Sequence, residues 1–197
     1  MSKSKMNVHN LVLLALLTAI VIVLQLLGAF VRFGPFSISL VLMPIVVGAA
    51  LISPMAGGWL GFVFGLIVLA TGDANVFLSI DPLGTVVVVI IKGIVAGLLA
   101  GFAYRAIAHF NKTAGAIAAA ALCPIGNTGV FILGVYLFFL PVVAEWGMAE
   151  GFENVTAYIF LGMIGMNFII ELAINLLLCP VIVRLVQYAK NKSGAAA

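Results

Sequence analysis

Long apolar runs, separated by short stretches that contain polar residues, glycine or proline, dominate the chain. A helix needs about 20 consecutive, mostly apolar residues to cross a bilayer. None of the runs shows the alternation of apolar and polar residues, with frequent turns, that a membrane β-barrel requires. The pattern therefore predicts an all-α integral membrane protein with six transmembrane helices, at about residues 10–30, 38–53, 55–71, 84–108, 113–140 and 156–189.

The fifth run contains residues that disfavour a regular helix. Pro124 lacks a backbone donor and crowds the preceding turn, while Gly126 and Gly129 loosen the helix further. Broken helices at membrane depth are tolerated where they line a cavity or are buried in protein, and they are common at transport sites. We therefore expect an interrupted helix here, with a simple proline kink as the alternative.

Composition and charge exclude a water-soluble fold and set an orientation. Apolar residues make up 65% of the 197 positions and charged residues only 8%, whereas soluble domains are about one quarter charged. With the N-terminus inside, seven lysines and arginines are cytoplasmic and Arg32 alone is external. Both termini are therefore expected in the cytoplasm. The expected organisation is a cytoplasmic N-terminus (1–9), a single six-helix transmembrane domain (10–190) and a cytoplasmic tail (191–197), whose SGAAA end is a candidate cloning remnant.

Two charged residues and several amides remain at membrane depth in this assignment. Intramembrane charges are costly and usually have a partner or a function. Lys92 and Glu171 can form an ion pair that holds two helices in register, bind a ligand, or do both. The amides favour a ligand, since polar residues that face the bundle from three helices form a cavity wall. The expected cavity residues are Lys92, Asn127, Thr128, Asn167, Glu171 and Asn175, of which the last three are spaced four apart on one helix face.

Small residues recur every four positions in three of the runs. Such faces allow helix backbones to approach closely. The glycines are expected to pack inside the bundle, whereas the alanines face either their own bundle or the helix of a partner. The small residues are Ala15 and Ala19 in the first run, Gly57, Gly61 and Gly65 in the third, and Gly93, Gly97 and Gly101 in the fourth.

Motifs for nucleotide binding and catalysis are missing from the sequence. It contains no G-x-x-x-x-G-K-[ST] loop for ATP, no H-E-x-x-H zinc motif and no G-x-S-x-G elbow. Cys123 and Cys179 each precede a proline and match neither a zinc site nor a disulfide framework. We therefore expect no enzymatic activity, no cofactor and no metal. A small protein with a polar cavity and no energy source of its own fits a subunit that depends on another protein for energy.

These features together resemble the substrate-binding S component of energy-coupling factor (ECF) vitamin transporters. Ala15-x-x-x-Ala19 resembles the alanine motif of that family, the stretch at 36–66 resembles its second and third helices, and IIKGIVAGLLAG resembles its fourth. The resemblance covers nearly the whole chain, including six helices and cytoplasmic termini.

The resemblance implies a mechanism and a set of partners. An S component captures a vitamin outside the cell, associates with a transmembrane coupling subunit and two cytoplasmic ATPase subunits, and is thought to topple in the membrane to release its cargo inside. The pocket would lie mainly among the last three helices, with the loop at 29–37 as a lid. Arg32 in this loop would either close over an anion or lie at the outer face among the lipid headgroups. Ala15 and Ala19 would dock onto the coupling subunit. The implied location is the bacterial plasma membrane as a multi-pass protein, with no nucleic acid as partner.

The polar residues also bear on the vitamin. A small, flexible, hydroxylated carboxylate needs a cation and amide donors, which Lys92 and the asparagines supply. A flat ring needs aromatic partners, and Tyr136 and Tyr158 are available for stacking, whereas Trp146 is expected in an outer loop. The segments CPIGNTGVFILG and NFIIELAIN most resemble the pantothenate-type members of the family. Pantothenate is therefore the expected vitamin, with Tyr136 as a further substrate-binding residue.

Three alternatives stay open. The first is the same family with riboflavin or another vitamin. The second is a proton-coupled small secondary carrier, in which Glu171 and Lys92 form a relay and the chain transports by itself. The third is a non-transport membrane interaction subunit, in which the polar residues only join helices and no ligand binds tightly.

Overall fold

The chain folds as a bundle of helices with a single small strand pair. The computed structural model describes residues 7–30, 32–33, 36–37 and 40–194, with side chains at 7–28 and 40–188. The strands β1 (Arg32–Phe33) and β2 (Phe36–Ser37) pair antiparallel, directly after the first helix. The helices are α1 (Val8–Phe30), α2 (Leu42–Leu51), α3 (Pro54–Thr71), α4 (Asn75–Leu78), α5 (Pro82–Ala108), α6 (Lys112–Gly134), α7 (Leu140–Ala149), α8 (Val155–Ala157) and α9 (Gly165–Gly194).

Five helical spans of the described chain are long and apolar enough to cross a membrane. The helix α2 has only ten residues, about 15 Å of length at 1.5 Å per residue. Most of α2 is buried, and it packs against α1, α3, α5, α6 and α9. The all-α membrane fold is thus confirmed, with five long spans and one short apolar helix. Six crossings, the cytoplasmic termini and the domain limits stay predictions. The five spans are Val8–Gly28, Pro54–Thr71, Pro82–Ala108, Lys112–Ala149 and Val155–Tyr188.

Local side-chain caps determine where several helices begin. Ser53 accepts a hydrogen bond from the Ala56 amide at 3.1 Å, directly before a proline at the first position of α3. Asp81 accepts one from the Gly84 amide at 3.0 Å at the start of α5, again before a proline. Asn111 accepts from two amides at the start of α6. These residues satisfy orphan amide donors of the first turn, so α3, α5 and α6 each begin at a position that the local sequence specifies.

The glycine stripes of α3 and α5 face each other. The sequence predicted that they pack inside the bundle but did not say against which helix. A Cβ atom added to Gly61 would overlap the carbonyl group of Gly93, and one added to Gly97 would overlap that of Gly57. Backbones can approach this closely only when neither residue has a side chain. The α3–α5 contact therefore forms a tightly packed unit, and the N-terminal half of α5 next to it carries Lys92.

The expected interruption of the fifth run at Pro124 is wrong. The helix α6 is continuous from Lys112 to Gly134 and contains Pro124 in its interior. Irregular backbone occurs instead as two π-helical segments, Val135–Phe139 and Tyr158–Ile164. Residues of both segments share one hydrophobic cluster with Val143. A π turn inserts an extra residue into the helix and is often found at functional sites, and here both segments contribute to the cavity described next.

Candidate binding cavity

A cavity of about 500 Å³ lies between α3, α5, α6, α7 and the start of the last long helix. This volume falls in the usual range for small-molecule sites. The cavity is in the half of the bundle that holds the C-terminal ends of α1 and α3 and the N-terminal half of α5. Its polar lining side chains are Gln25, Asp73, Thr85, Lys92, Asn127, Thr128, Glu150, Tyr158, Asn167 and Glu171.

Lys92 is a partly buried cation in this lining. Its Nζ atom lies 5.9 Å from the ring centroid of Phe64 and 5.5 Å from that of Phe131, within the range of cation–π attraction. The carboxylates of Glu171 and, less strongly, Asp73 attract the ammonium group. The lysine thus lies between two aromatic rings and within the field of two carboxylates, which stabilise its charge inside the bundle.

Glu171 is buried and belongs to a polar ladder along α9. The Nδ2 atom of Asn167 donates to its Oε1 atom at 3.5 Å, a long hydrogen bond. One turn further, the Nδ2 atom of Asn175 donates to the backbone oxygen of Glu171 at 2.8 Å, and Asn175 Oδ1 accepts from the Cys179 thiol at 3.4 Å. Asn167 and Glu171 line the cavity, whereas Asn175 is fully buried outside the lining. The hydrogen bonds of Asn175 therefore connect successive turns of α9.

Asn127 has a buried acceptor that no described residue satisfies. Its side chain is only 9% exposed. Its Oδ1 atom has no hydrogen-bond partner among the residues that the structure describes. Nearly all buried polar atoms in proteins are hydrogen-bonded, and an unsatisfied one calls for an explanation. Asn127 and its neighbour Thr128 both line the cavity, so this buried acceptor belongs to a residue of the cavity wall.

The remaining predicted site residues lie elsewhere. Tyr136 is 37% exposed and does not line the cavity; its hydroxyl lies 3.0 Å from the Thr156 hydroxyl. The backbone of Arg32 is part of β1, but its side chain lies outside the described residues. Ala15 and Ala19 are both exposed on α1. This resolves the orientation that the sequence left open, because the alanine face points away from its own bundle.

An aromatic group that sequence reasoning missed forms another part of the cavity wall. Phe77 of the four-residue helix α4 lies edge-on to Phe131 and Phe139, with centroid distances of 5.8 and 4.9 Å, and 5.8 Å from Trp146. All four rings line the cavity. The expectation that Trp146 lies in an outer loop is wrong, since it lies in α7. No spacing pattern relates these residues, because they come from different helices and meet only in the fold.

Gln25 and Asp73 form a second feature that the sequence did not reveal. The Nε2 atom of Gln25 donates to Asp73 Oδ2 at 2.7 Å, and the Thr71 hydroxyl donates to the same oxygen at 3.3 Å. Gln25 is 4% exposed and lines the cavity together with Asp73. The contact joins α1 to the turn after α3. An amide in the first apolar run was the available signal, because buried glutamine in a membrane helix is expected to have a partner.

The arrangement is suited to binding a small molecule. Within the described part of the chain, no three His, Cys, Asp or Glu side chains come together in a group that could hold a metal ion. The cavity instead combines one ammonium group, several amide and hydroxyl groups, and a wall of aromatic rings. Such a site can hold a small molecule that carries a negative group, hydrogen-bonding groups and an apolar part.

Comparison with known proteins agrees with this interpretation. The family model "ECF transporter, substrate-specific component" matches residues 9–183. The chain is also 27% identical over 210 residues to the pantothenic acid transporter PanT of Lactococcus lactis subsp. cremoris (strain MG1363), in an alignment that covers 98% of this chain and all of the relative. No solved structure gives a significant match.

Proposed function

Because the chain belongs to the family of substrate-specific components of ECF transporters, we propose that it captures pantothenate outside the cell for an ATP-driven importer. The observation that carries the proposal is the cavity whose wall contains both a cation, Lys92, and the side chain of Asn127, whose Oδ1 atom has no hydrogen-bond partner among the described residues. The relative that is 27% identical along its whole length is a pantothenic acid transporter, which supports the choice of vitamin.

The chemistry of pantothenate fits the two parts of the cavity wall. The molecule has a carboxylate, a central amide, two hydroxyl groups and a dimethyl group. Lys92 can pair with the carboxylate, and a hydrogen bond to a charged group contributes about 1.5–3 kcal/mol. The Asn127 oxygen can accept from the amide N–H or from a hydroxyl. The dimethyl group can pack on rings such as Phe77 and Phe139, which line the same cavity.

Glu171 and Asn167 position the lysine in this proposal. Glu171 attracts Lys92, and Asn167 donates to the Glu171 carboxylate. An ammonium group has three donors, so it can interact with Glu171 and still donate to a ligand. The carboxylate of Asp73 already accepts from Gln25 and Thr71. These contacts leave Lys92 as the charged group best suited to receive a vitamin carboxylate.

The partners follow from the family. The chain would work with a transmembrane coupling subunit and two ATPase subunits in the bacterial plasma membrane, with six crossings and both termini in the cytoplasm. Ala15 and Ala19 are exposed on α1, and they offer a small-residue face on which a helix of the coupling subunit can pack closely. The sequence contains no P-loop motif, so the energy would come from those partners.

The first experiment is a binding assay on the purified protein, preceded by mass spectrometry of any ligand that co-purifies. Pantothenate is expected to co-purify or to bind tightly. Lys92→Met is expected to weaken binding at least about tenfold, from the loss of a charged hydrogen bond. Lys112→Met is the matched control, because Lys112 is exposed at the start of α6. Equal affinity in the two variants would refute the role of Lys92.

The two tryptophans allow the bound position to be tested in the same assay. Trp146 lines the cavity, whereas Trp59 lies outside it with its Nε1 atom 3.3 Å from the Thr18 hydroxyl. A change of tryptophan fluorescence on adding pantothenate is therefore expected to persist in Trp59→Phe and to disappear in Trp146→Phe. The reverse pattern would place the ligand elsewhere in the protein.

Riboflavin is the second candidate, and the aromatic part of the wall favours it. Phe77, Phe131, Phe139 and Trp146 line one region of the cavity, and flat heteroaromatic rings stack on such side chains. These four rings already contact one another edge-on around Phe77, which leaves less free ring face for a ligand. Riboflavin that co-purifies, or that binds more tightly than pantothenate, would replace the first proposal within the same family.

A further inference from the structure

The cavity is closed at one end and open at the other, and from this shape we infer the orientation of the bound ligand. The ligand carboxylate points to the closed end at Lys92, and the hydroxylated dimethyl end points to the mouth. The protein therefore selects for a free carboxylate and excludes derivatives that are extended at that group. This inference rests on the proposed function, because it takes pantothenate as the ligand.

The closed end is formed by a layer of small, fully buried residues just beyond Lys92. In α5 this layer contains Ala96 and Ala100, which are 0% exposed. In α6 and α9 it contains Cys123 and Cys179, also 0% exposed. None of these residues lines the cavity. Gly93, directly after Lys92, contacts the α3 backbone so closely that a Cβ atom would not fit. A ligand that reaches Lys92 therefore has no space beyond it.

The open end lies between α4 and the end of α7. Val76 of α4 and Ala149 and Glu150 at the end of α7 line the cavity and are also exposed. Trp146, one turn before Glu150, lines the cavity and is only partly buried. The cavity thus reaches the surface at this end, where an additional ligand group can extend out of it.

The closed end differs from the mouth in holding a cation, whose charge the carboxylates of Glu171 and Asp73 stabilise. Among the side chains that the structure describes, Lys92 is the only cation in the lining, and it lies next to the closed end. The mouth carries the carboxylate of Glu150, which repels a ligand carboxylate. The rings of Phe77 and Phe139 suit an apolar group. Turning the ligand around would place its carboxylate near Glu150 and its dimethyl group beside a buried ammonium, so this orientation is disfavoured at both ends.

The direct test is competition against labelled pantothenate on the wild-type protein with three analogues. In pantothenol an alcohol replaces the carboxylate, and in pantetheine the carboxylate is extended through an amide. In 4′-O-methylpantothenate only the hydroxyl end is enlarged. We expect pantothenol to bind about tenfold more weakly or worse, pantetheine not to compete, and the methyl ether to compete within about threefold of pantothenate. Competition by pantetheine equal to that by pantothenate would overturn the inference.

A second measurement assigns the carboxylate discrimination to Lys92. In Lys92→Met the preference for pantothenate over pantothenol is expected to disappear, whereas Trp146→Phe at the other end is expected to retain it. A preference that persists in Lys92→Met would overturn the inference. If that variant does not fold, the wild-type competition decides alone. If pantothenate does not bind at all, the proposed function is refuted as well. If pantothenate binds but pantetheine competes equally well, only the inferred orientation of the ligand is refuted.

Discussion

At the scale of single residues, the buried amide groups in and near the cavity differ in how completely they are hydrogen-bonded. Asn175 is fully buried, and both ends of its amide have partners. Asn127 is also buried, yet its Oδ1 atom lacks a partner among the described residues. An unsatisfied buried acceptor costs about 1–3 kcal/mol. The hydrogen bonds of Asn175 therefore indicate a structural role, whereas the oxygen of Asn127, unpaired among the described residues, supports the proposed binding role.

Replacing the two asparagines by leucine tests this difference. Asn127→Leu removes an unsatisfied acceptor, so the melting temperature without ligand is expected to stay the same or rise. Pantothenate affinity is expected to fall about tenfold, because a ligand hydrogen bond is lost. Asn175→Leu removes two hydrogen bonds and is expected to lower the melting temperature by several degrees, about 2–4 °C per kcal/mol in a chain of this size. A comparable loss of melting temperature in both variants would show that Asn127 is structural.

At the scale of helices, the molecule contains one very tight contact and one largely uncovered helix. The α3–α5 pair packs backbone against backbone along its glycine stripes. In contrast, α1 exposes most of one face, including Val12, Leu16 and Val23. A lipid bilayer covers apolar side chains without any special complementarity. The tight pair can therefore serve as a rigid support for Lys92, while the face of α1 is free for lipid or for a partner helix.

A pair of glycine substitutions tests the tight contact. Gly61→Ala is expected to lower the melting temperature clearly, because the added methyl group would overlap the Gly93 carbonyl group and force the helices apart. Gly129→Ala is the matched control, since no atom lies within 4 Å of its added methyl group. Alanine is a better helix former than glycine by about 0.5–1 kcal/mol, so the control is expected to be neutral or stabilising. Thermal unfolding of the purified variants measures both, and an unaffected Gly61→Ala would contradict the contact.

Bulky substitutions test the exposed alanine face of α1. Ala15→Trp or Ala19→Trp is expected to leave pantothenate binding intact and to abolish uptake, because a large side chain would prevent close docking of a partner helix. Leu177→Trp is the control, since Leu177 is 71% exposed on α9, away from the proposed docking face. Binding by the purified protein and uptake by cells are measured for each variant. Lost binding in the alanine variants would mean that this face supports the protein's own fold.

At the scale of the whole molecule, two hydrophobic clusters support the cavity. The larger hydrophobic cluster joins α1, α2, α3, α5, α6 and α9, and the smaller one joins the two π-helical segments, α7 and the start of α9. The cavity lies between the two clusters, since buried residues of both line it. The lining residues place this site in one half of the bundle, which agrees with the proposed capture of a vitamin at one side of the membrane.

Reconstitution in lipid vesicles tests the division of labour between the chain and its partners. The chain alone is expected to bind pantothenate without accumulating it, with or without a proton gradient. Vesicles that also contain the coupling subunit and the ATPases are expected to accumulate it when ATP is supplied, and an uncoupler should have no direct effect. Uptake by the chain alone that an uncoupler abolishes would instead support the proton-coupled carrier. Failure to bind any vitamin would support the interaction subunit.

Properties that depend on local composition were predictable from the sequence. The apolar runs predicted an all-helical membrane fold, because crossing a bilayer requires length and apolarity that can be counted along the chain. The glycine stripes predicted close packing inside the bundle, since a four-residue spacing places small residues on one helix face, but not that these two stripes meet. Lys92, Asn127, Thr128, Asn167 and Glu171 were all predicted to line a cavity, and all do, because polar groups at membrane depth must avoid lipid.

Only the tertiary structure decided which distant residues meet. Asn175 shares a helix face with Asn167, but that face turns by about 40° at each four-residue step. As a result, Asn175 is fully buried and does not line the cavity. The Gln25–Asp73 contact joins residues 48 positions apart. The ring group around Phe77 combines three helices and a π-helical segment. Such contacts leave no periodic trace in the sequence, because they depend on how helices cross rather than on how each helix forms.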